Sequence, residues 1–317
     1  MKENRLIIIG IICCISIYGK TSKPSPAVKF QEFRVLLVGD SWSYFMWLDK
    51  TMRELFAAKG HPYALEKGDV TAISGSKASE WIEPSMLQKI SDELIANPKI
   101  DVVQLSMGGN DFLAGAPNGW YTTMSFEEEV ELYEQILSYL DTVVQHIRSV
   151  DPTIQILIGG YDYPNFQESL SLPLSFFCTP YWDDMVQPTP FELNTAMTAF
   201  EDMLMAYAET IPELTYVRHL GSMQFLYGYP SLGIEPGELL PPGDLEIPSP
   251  MSSMRLGIDC FHLNSDGYDF HALNLWDSFY STYFCLYIVE FNQSLPSWRD
   301  TLDILDLSLQ VSRLCPE

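Results

Sequence analysis

Short apolar runs alternate with longer amphipathic stretches from Phe33 onward, the pattern of a parallel β-sheet with helices on its faces. "FRVLLVG" (33–39) is almost continuously apolar, as a central parallel strand buried on both sides should be. "DVVQLSM" (101–107) and "TIQILIGG" (153–160) carry the same signature, and "LTYVRHL" (214–220) carries it more weakly. The clearest helix starts at Ser125, which forms a capping-box pattern with Glu128. Phe126, Val130, Tyr133, Leu137, Leu140, Val144 and Ile147 then recur at helical spacing and predict one apolar stripe, stopped by Pro152. Further helices are expected over about 46–59 and 191–209 and after Ser265.

Two segments, 161–190 and 227–253, break this rhythm. Both are rich in Pro and aromatic or apolar residues and exceed ordinary strand–helix connections in length. They are either surface loops packed on the domain or walls of a ligand site at the carboxyl ends of the strands.

The first 23 residues read as a secretory leader: a basic start at Lys2 and Arg5, an apolar run too short for a comfortable span, then polar residues. An uncleaved anchor is the alternative, and membrane association is expected only through this segment. Residues 24–317 are then one domain in a secreted or extracytoplasmic protein. Of 317 residues, 47% are apolar and 19% charged, enough to build a core, and the formal charge of −24 disfavours nucleic acid and anionic lipid as partners. Cys178, Cys260, Cys285 and Cys315 remain once the leader is set aside, an even number that favours one or two disulfides in an exported chain, with the pairing left open. Their spacing does not form a metal-binding pattern.

Candidate chemistry gathers where strands end. Gly39-Asp40-Ser41 places a serine at a tight turn before a helix, where a hydroxyl can project and backbone N–H groups favour negative charge. Ser43, inside the first helical turn, is the internal alternative as nucleophile. Gly108-Gly109-Asn110-Asp111 follows another strand, with glycines that admit close backbone approach and an amide donor on Asn110. Gly75 could offer an unhindered N–H. In "GIDCFHLNSDGY", the Asp259-x-x-His262 spacing lets a carboxylate hold one ring nitrogen of a histidine while the other takes a proton. His61, His146, His219 and His271 sit where structural roles are expected. Trp42, Tyr44, Phe45 and Trp47 are expected mainly in the core, with Trp42 the one nearest to substrate.

In their order and strand-turn contexts, these four blocks resemble the GDSL, or SGNH, hydrolase family over residues 33–270. The resemblance implies a three-layer α/β/α flavodoxin-like fold with a parallel sheet of about five strands. It also implies ester hydrolysis by a triad of Ser41 as nucleophile, His262 as base and acid, and Asp259 as orienter. Ser41 and Gly75 backbone N–H groups and the Asn110 side chain would form the oxyanion hole, with Asp40 and Asp111 holding loops. Neither metal nor organic cofactor is implied, and the partner is a small-molecule or glycan ester. The chain departs from the family pattern in having Trp42 where the name-giving motif has Leu, in its expanded Pro-rich intervals, and in matching the second block by little beyond Gly75. An acyltransferase using the same acyl-enzyme, or a binding protein on the same scaffold, are the other functions this pattern allows.

Overall fold

The structure is a computed structural model, and it describes residues 31–172 and 175–285. The described residues all belong to one compact unit. The expected leader and Cys315 lie outside the described residues. Among those described, no helix is long and apolar enough to cross a membrane.

Five strands form one all-parallel sheet: β1 (Glu32–Gly39), β2 (Ala64–Lys67), β3 (Val102–Ser106), β4 (Gln155–Gly159) and β5 (Leu214–Val217). Their spatial order, β2-β1-β3-β4-β5, is the flavodoxin-like one. Along the chain lie α1 (Ser41–Leu48), α2 (Thr51–Ala58), α3 (Ala78–Trp81), α4 (Pro84–Ala96), α5 (Gly109–Phe112) and α6 (Phe126–Val150). After β4 come α7 (Phe166–Ser169), α8 (Thr179–Asp184), α9 (Pro190–Glu209), α10 (Ser222–Tyr227) and α11 (Ser265–Leu275), the last running on into a π-helical turn.

Alternation along the strands makes the layers. Leu36, Val38, Val103, Leu105, Ile156 and Ile158 face a core with α3, α4, α6 and α9, while Val35, Leu37, Val102 and Leu157 face α1, α2 and α11. The expected three-layer α/β/α class is therefore the observed one. The capping box at Ser125 and Glu128 is formed, but Phe126 is exposed, and Ile136 and Val143 complete the buried stripe of α6 instead.

The expected helix over 46–59 is two helices. Lys50 adopts a left-handed conformation (φ 60°) between α1 and α2, and the adjacent Asp49 carboxylate pairs with Arg255 at 2.9 Å. No glycine or proline marks this break, so the apolar spacing runs through it. β2 has no counterpart among the expected strands. It has four residues, and its buried Glu66, 3.5 Å from Arg53, interrupts the apolar signal.

Candidate active site

The site assembles at the carboxyl edge of the sheet, where β1 and β3 end side by side. Gly39 has φ +131°, and a Cβ there would sit 1.9 Å from the Ser106 carbonyl oxygen, so only glycine lets the strands close at this point. The Asp40 N–H then donates to that carbonyl at 2.9 Å, and the Asp40 carboxylate caps α1 by accepting from Trp42 N–H at 2.9 Å. This turn sets Ser41 as the first residue of α1.

From there a hydrogen-bonded chain runs across the molecule. Ser41 Oγ lies 2.7 Å from His262 Nε2, and His262 Nδ1 lies 2.8 Å from Asp259 Oδ2. The other carboxylate oxygen, Oδ1, accepts from the Phe261 and His262 backbone N–H groups, each at 2.9 Å. Burial by itself would raise the Asp259 pKa, but the His262 ring and these two N–H donors outweigh it and hold the group below its ordinary value. An ionised Asp259 assigns the proton to Nδ1 and leaves Nε2 to accept from the serine hydroxyl.

Several contacts fix the histidine loop. The Cys178–Cys260 disulfide ties it to the 161–190 segment, Arg255 N–H donates to the His262 carbonyl at 2.8 Å, and the Phe45 ring meets the imidazole edge-on at 5.0 Å. Arg255 stacks in turn over Phe45 at 3.9 Å. Cys285 is also disulfide-bonded.

Asn110 opens toward the same cleft from α5. One of its amide hydrogens is used on the Ser76 carbonyl at 2.9 Å, which orients the side chain and leaves the second N–H available. Asp111 accepts from Ala78 and Ser79 N–H groups at 2.5 and 3.1 Å, strapping the 75–79 segment to α5. Gly75 takes the left-handed conformation (φ +81°), but it is not among the residues that line the cleft. Ser43 is fully buried, and its hydroxyl donates back to the Val38 carbonyl at 3.1 Å, away from any histidine. The remaining histidines pack elsewhere: His146 meets Ser91 at 2.8 Å, His61 stacks on Phe284 at 4.3 Å, and His219 stacks on His271 at 4.0 Å.

The sequence did not single out Tyr161. Its hydroxyl donates to Asp40 at 2.6 Å and accepts from Gly109 N–H at 3.0 Å, joining the serine turn to the Asn110 turn. Burial pushes Asp40 up to about 7, against the Tyr161 and Trp42 hydrogen bonds that favour its charged form. Position alone could have flagged this tyrosine, because it stands at the carboxyl end of a parallel strand. Trp42 is both core and wall: it is buried, packs edge-on against Tyr161 at 5.3 Å, and lines the cleft. The 161–190 segment contributes Tyr161, Asp162 and Pro164 to the cleft, whereas 227–253 contributes none of its lining. That second segment packs on the domain instead: Asn194 donates to the Leu245 and Ile247 carbonyls at 3.1 and 2.9 Å. Among the described residues, no cluster of His, Cys, Asp or Glu could hold a metal ion.

No protein-family profile and no curated protein sequence matches the chain. Solved structures do resemble it. The lipase Lip_vut3 from a goat rumen metagenome is 14% identical, with 79% of this chain and 98% of that one covered at a TM-score of 0.46. A member of the lipolytic protein G-D-S-L family from Veillonella parvula is 14% identical over 78% and 98% of the two chains (TM-score 0.43). A family 3 carbohydrate esterase from Clostridium thermocellum is 16% identical over 80% and 99% (TM-score 0.42).

Proposed function

We propose that the protein is an exported serine hydrolase that cleaves carboxylic esters through an acyl-enzyme on Ser41. The observation that carries this reading is the continuous chain from Ser41 Oγ through His262 to Asp259, with contacts of 2.7 and 2.8 Å. Attack of Ser41 Oγ on the ester carbonyl forms a new C–O bond while His262 Nε2 takes the hydroxyl proton. Collapse of the tetrahedral intermediate breaks the bond to the alcohol, which leaves with the proton returned by His262. Water then repeats the sequence, and its attack releases the acid and regenerates Ser41. Asp259 stays ionised and stabilises the imidazolium in both halves. Negative charge on the carbonyl oxygen is met by the free amide hydrogen of Asn110 and by the Ser41 backbone N–H at the start of α1. Gly75 N–H, which makes no hydrogen bond among the described residues, is the third proposed donor.

Lipid esters and acylated carbohydrates are the substrate classes that the apolar and aromatic cleft favours. Export is supported by the Cys178–Cys260 disulfide, since such bonds persist in oxidising compartments. Purified protein should hydrolyse p-nitrophenyl acetate, and Ser41→Ala should abolish turnover while the circular dichroism spectrum is unchanged. Retained turnover in that variant would remove Ser41 as nucleophile.

A further inference from the structure

The serine turn follows β1 and the Asn110 turn follows β3, and the end of a third strand reaches across to both. β4 ends at Gly159, with Gly160 and Tyr161 directly after it. The Tyr161 backbone N–H donates to Glu201 Oε1 of α9 at 2.9 Å, and a Cβ on Gly160 would sit 2.6 Å from that same oxygen, so the glycine lets the strand end close onto the carboxylate. Glu201 is itself buried and lies 3.3 Å from Arg218 Nε. Tyr161 therefore leaves the sheet from a fixed point.

Its ring then passes under the Asn110 turn, where a Cβ on Gly109 would meet it at 2.7 Å. The hydroxyl ends between two partners, accepting from Gly109 N–H at 3.0 Å and donating to Asp40 Oδ2 at 2.6 Å. Asp40 Oδ1 accepts from Trp42 N–H at 2.9 Å, so one buried carboxylate holds both the start of α1 and the tyrosine. Ser41 and Asn110 are the residues that directly follow the two partners of this hydroxyl.

The hydroxyl has a single proton, and that limits what it can do. With Asp40 ionised, the proton is committed to the carboxylate, and burial raises the phenol well above its ordinary pKa so that it does not ionise. None is left for the carbonyl oxygen of a substrate or for a leaving alcohol. The hydroxyl can act only through the groups it holds.

We propose that Tyr161 is a positioning residue, whose hydroxyl keeps the Asn110 amide in register with Ser41 by bridging Asp40 and Gly109. The proposal rests on Ser41 being the nucleophile and Asn110 an oxyanion donor. Register of this kind matters most in the transition state, when the carbonyl oxygen has gained its charge, and a shift of about 1 Å there is enough to lower the rate by about 100-fold.

Tyr161→Phe tests it, because the ring and its edge-on packing on Trp42 stay while the bridge is lost. Turnover of p-nitrophenyl acetate is measured at pH 8, above the value of about 7 to which burial raises Asp40, and is expressed per active site counted by fluorophosphonate titration. The variant should lose about 30- to 100-fold in kcat with KM within about threefold of wild type, and phenylboronic acid, whose tetrahedral adduct places an oxygen at the oxyanion site, should bind more weakly by a similar factor. In an Asn110→Ala background the same substitution should cost less than about threefold, because the donor it aligns is gone. Asp40→Asn, which can no longer accept from both Trp42 N–H and the Tyr161 hydroxyl, should show the same dependence on Asn110 and serves as the test if Tyr161→Phe does not fold. Unchanged kcat in Tyr161→Phe, or losses of equal size with and without Asn110, overturn the positioning role while Ser41 remains the nucleophile. Turnover retained in Ser41→Ala, assayed alongside, overturns the esterase reading and the positioning role with it.

Discussion

Two Asp–His pairs flank α1, and only one of them reaches a serine hydroxyl. His262 and Asp259 sit 2.8 Å apart with side chains 15% and 24% exposed, whereas His271 and Asp162 sit 3.7 Å apart and are completely buried. Each histidine packs on an aromatic residue of α1: Phe45 meets His262 edge-on, and Trp42 stacks on His271 at 5.4 Å. The difference lies in what the ring nitrogens meet. Both nitrogens of His262 have partners, one of them the serine hydroxyl, whereas neither nitrogen of His271 has a hydrogen-bond partner. Burial pushes His271 far below the ordinary imidazole range and pushes Asp162 up to about 7, so that pair resists the charge separation that general-base catalysis needs. A carboxylate near a histidine is thus insufficient. The ring must be partnered at one nitrogen, reach the nucleophile with the other, and stay close enough to solvent to carry a proton.

The largest expected effect breaks this comparison directly. His262→Ala should lower kcat by about 10⁴-fold, as loss of a triad member does. His271→Phe should leave turnover within about threefold of wild type, and its melting temperature should equal or exceed the original because two unpartnered buried nitrogens are removed. Equal losses of activity in the two variants would abolish the distinction. Next in size, Asn110→Ala should reduce kcat by roughly 10²–10³-fold if its free amide hydrogen meets the oxyanion. A loss confined to KM would instead assign it to substrate binding.

The smallest effect concerns pH and stability. Burial raises Asp40 and Asp162 to about 7 and Glu201 to about 8, each from an ordinary value of 3.8 or 4.5. Between about pH 4 and pH 8 these three carboxyls hold protons in the folded chain that they release in the unfolded one, and their contribution to stability falls as pH rises. Asp259, Asp151 and Glu192 are shifted the other way, so their contribution is lost only on the acid side of the ordinary carboxylate range. Self-repulsion of a chain with formal charge −24 acts in the same direction as the buried carboxyls. Burial lowers His61, His219 and His271, so the unfolded chain takes up protons there below about pH 6.5 and these groups offset the carboxyls on the acid side. The melting temperature, measured at constant ionic strength, should therefore be highest near about pH 6 and decline toward about pH 8, and Asp40→Asn should flatten the decline. A melting temperature that climbs steadily to pH 8 would contradict the burial of these groups.

Much of this was legible because central parallel strands advertise themselves. β1, β3 and β4 are buried on both faces, so their apolar runs are nearly continuous, broken only by buried residues such as Gln104 of β3, and α6 announces its start through Ser125 and Glu128. β2 was hidden by its shortness and its inward Glu66, and the break at Lys50 by the lack of a turn residue. In the site, chemically distinctive residues at strand ends could be read one by one. The position of Tyr161 could be read in the same way, but its bond to Asp40 could not, since that depends on which side chains the fold places opposite it. Ser41 and Ser43 show the same limit at its sharpest: two serines on one short helix, of which one meets His262 and the other folds back onto Val38.

The central claim is that this difference makes Ser41 the nucleophile. Reaction of the protein with a fluorophosphonate, followed by peptide mass spectrometry, tests it most directly. One adduct per chain on Ser41, absent in His262→Ala, is the predicted result; an adduct on Ser43, or none on either serine, would contradict it.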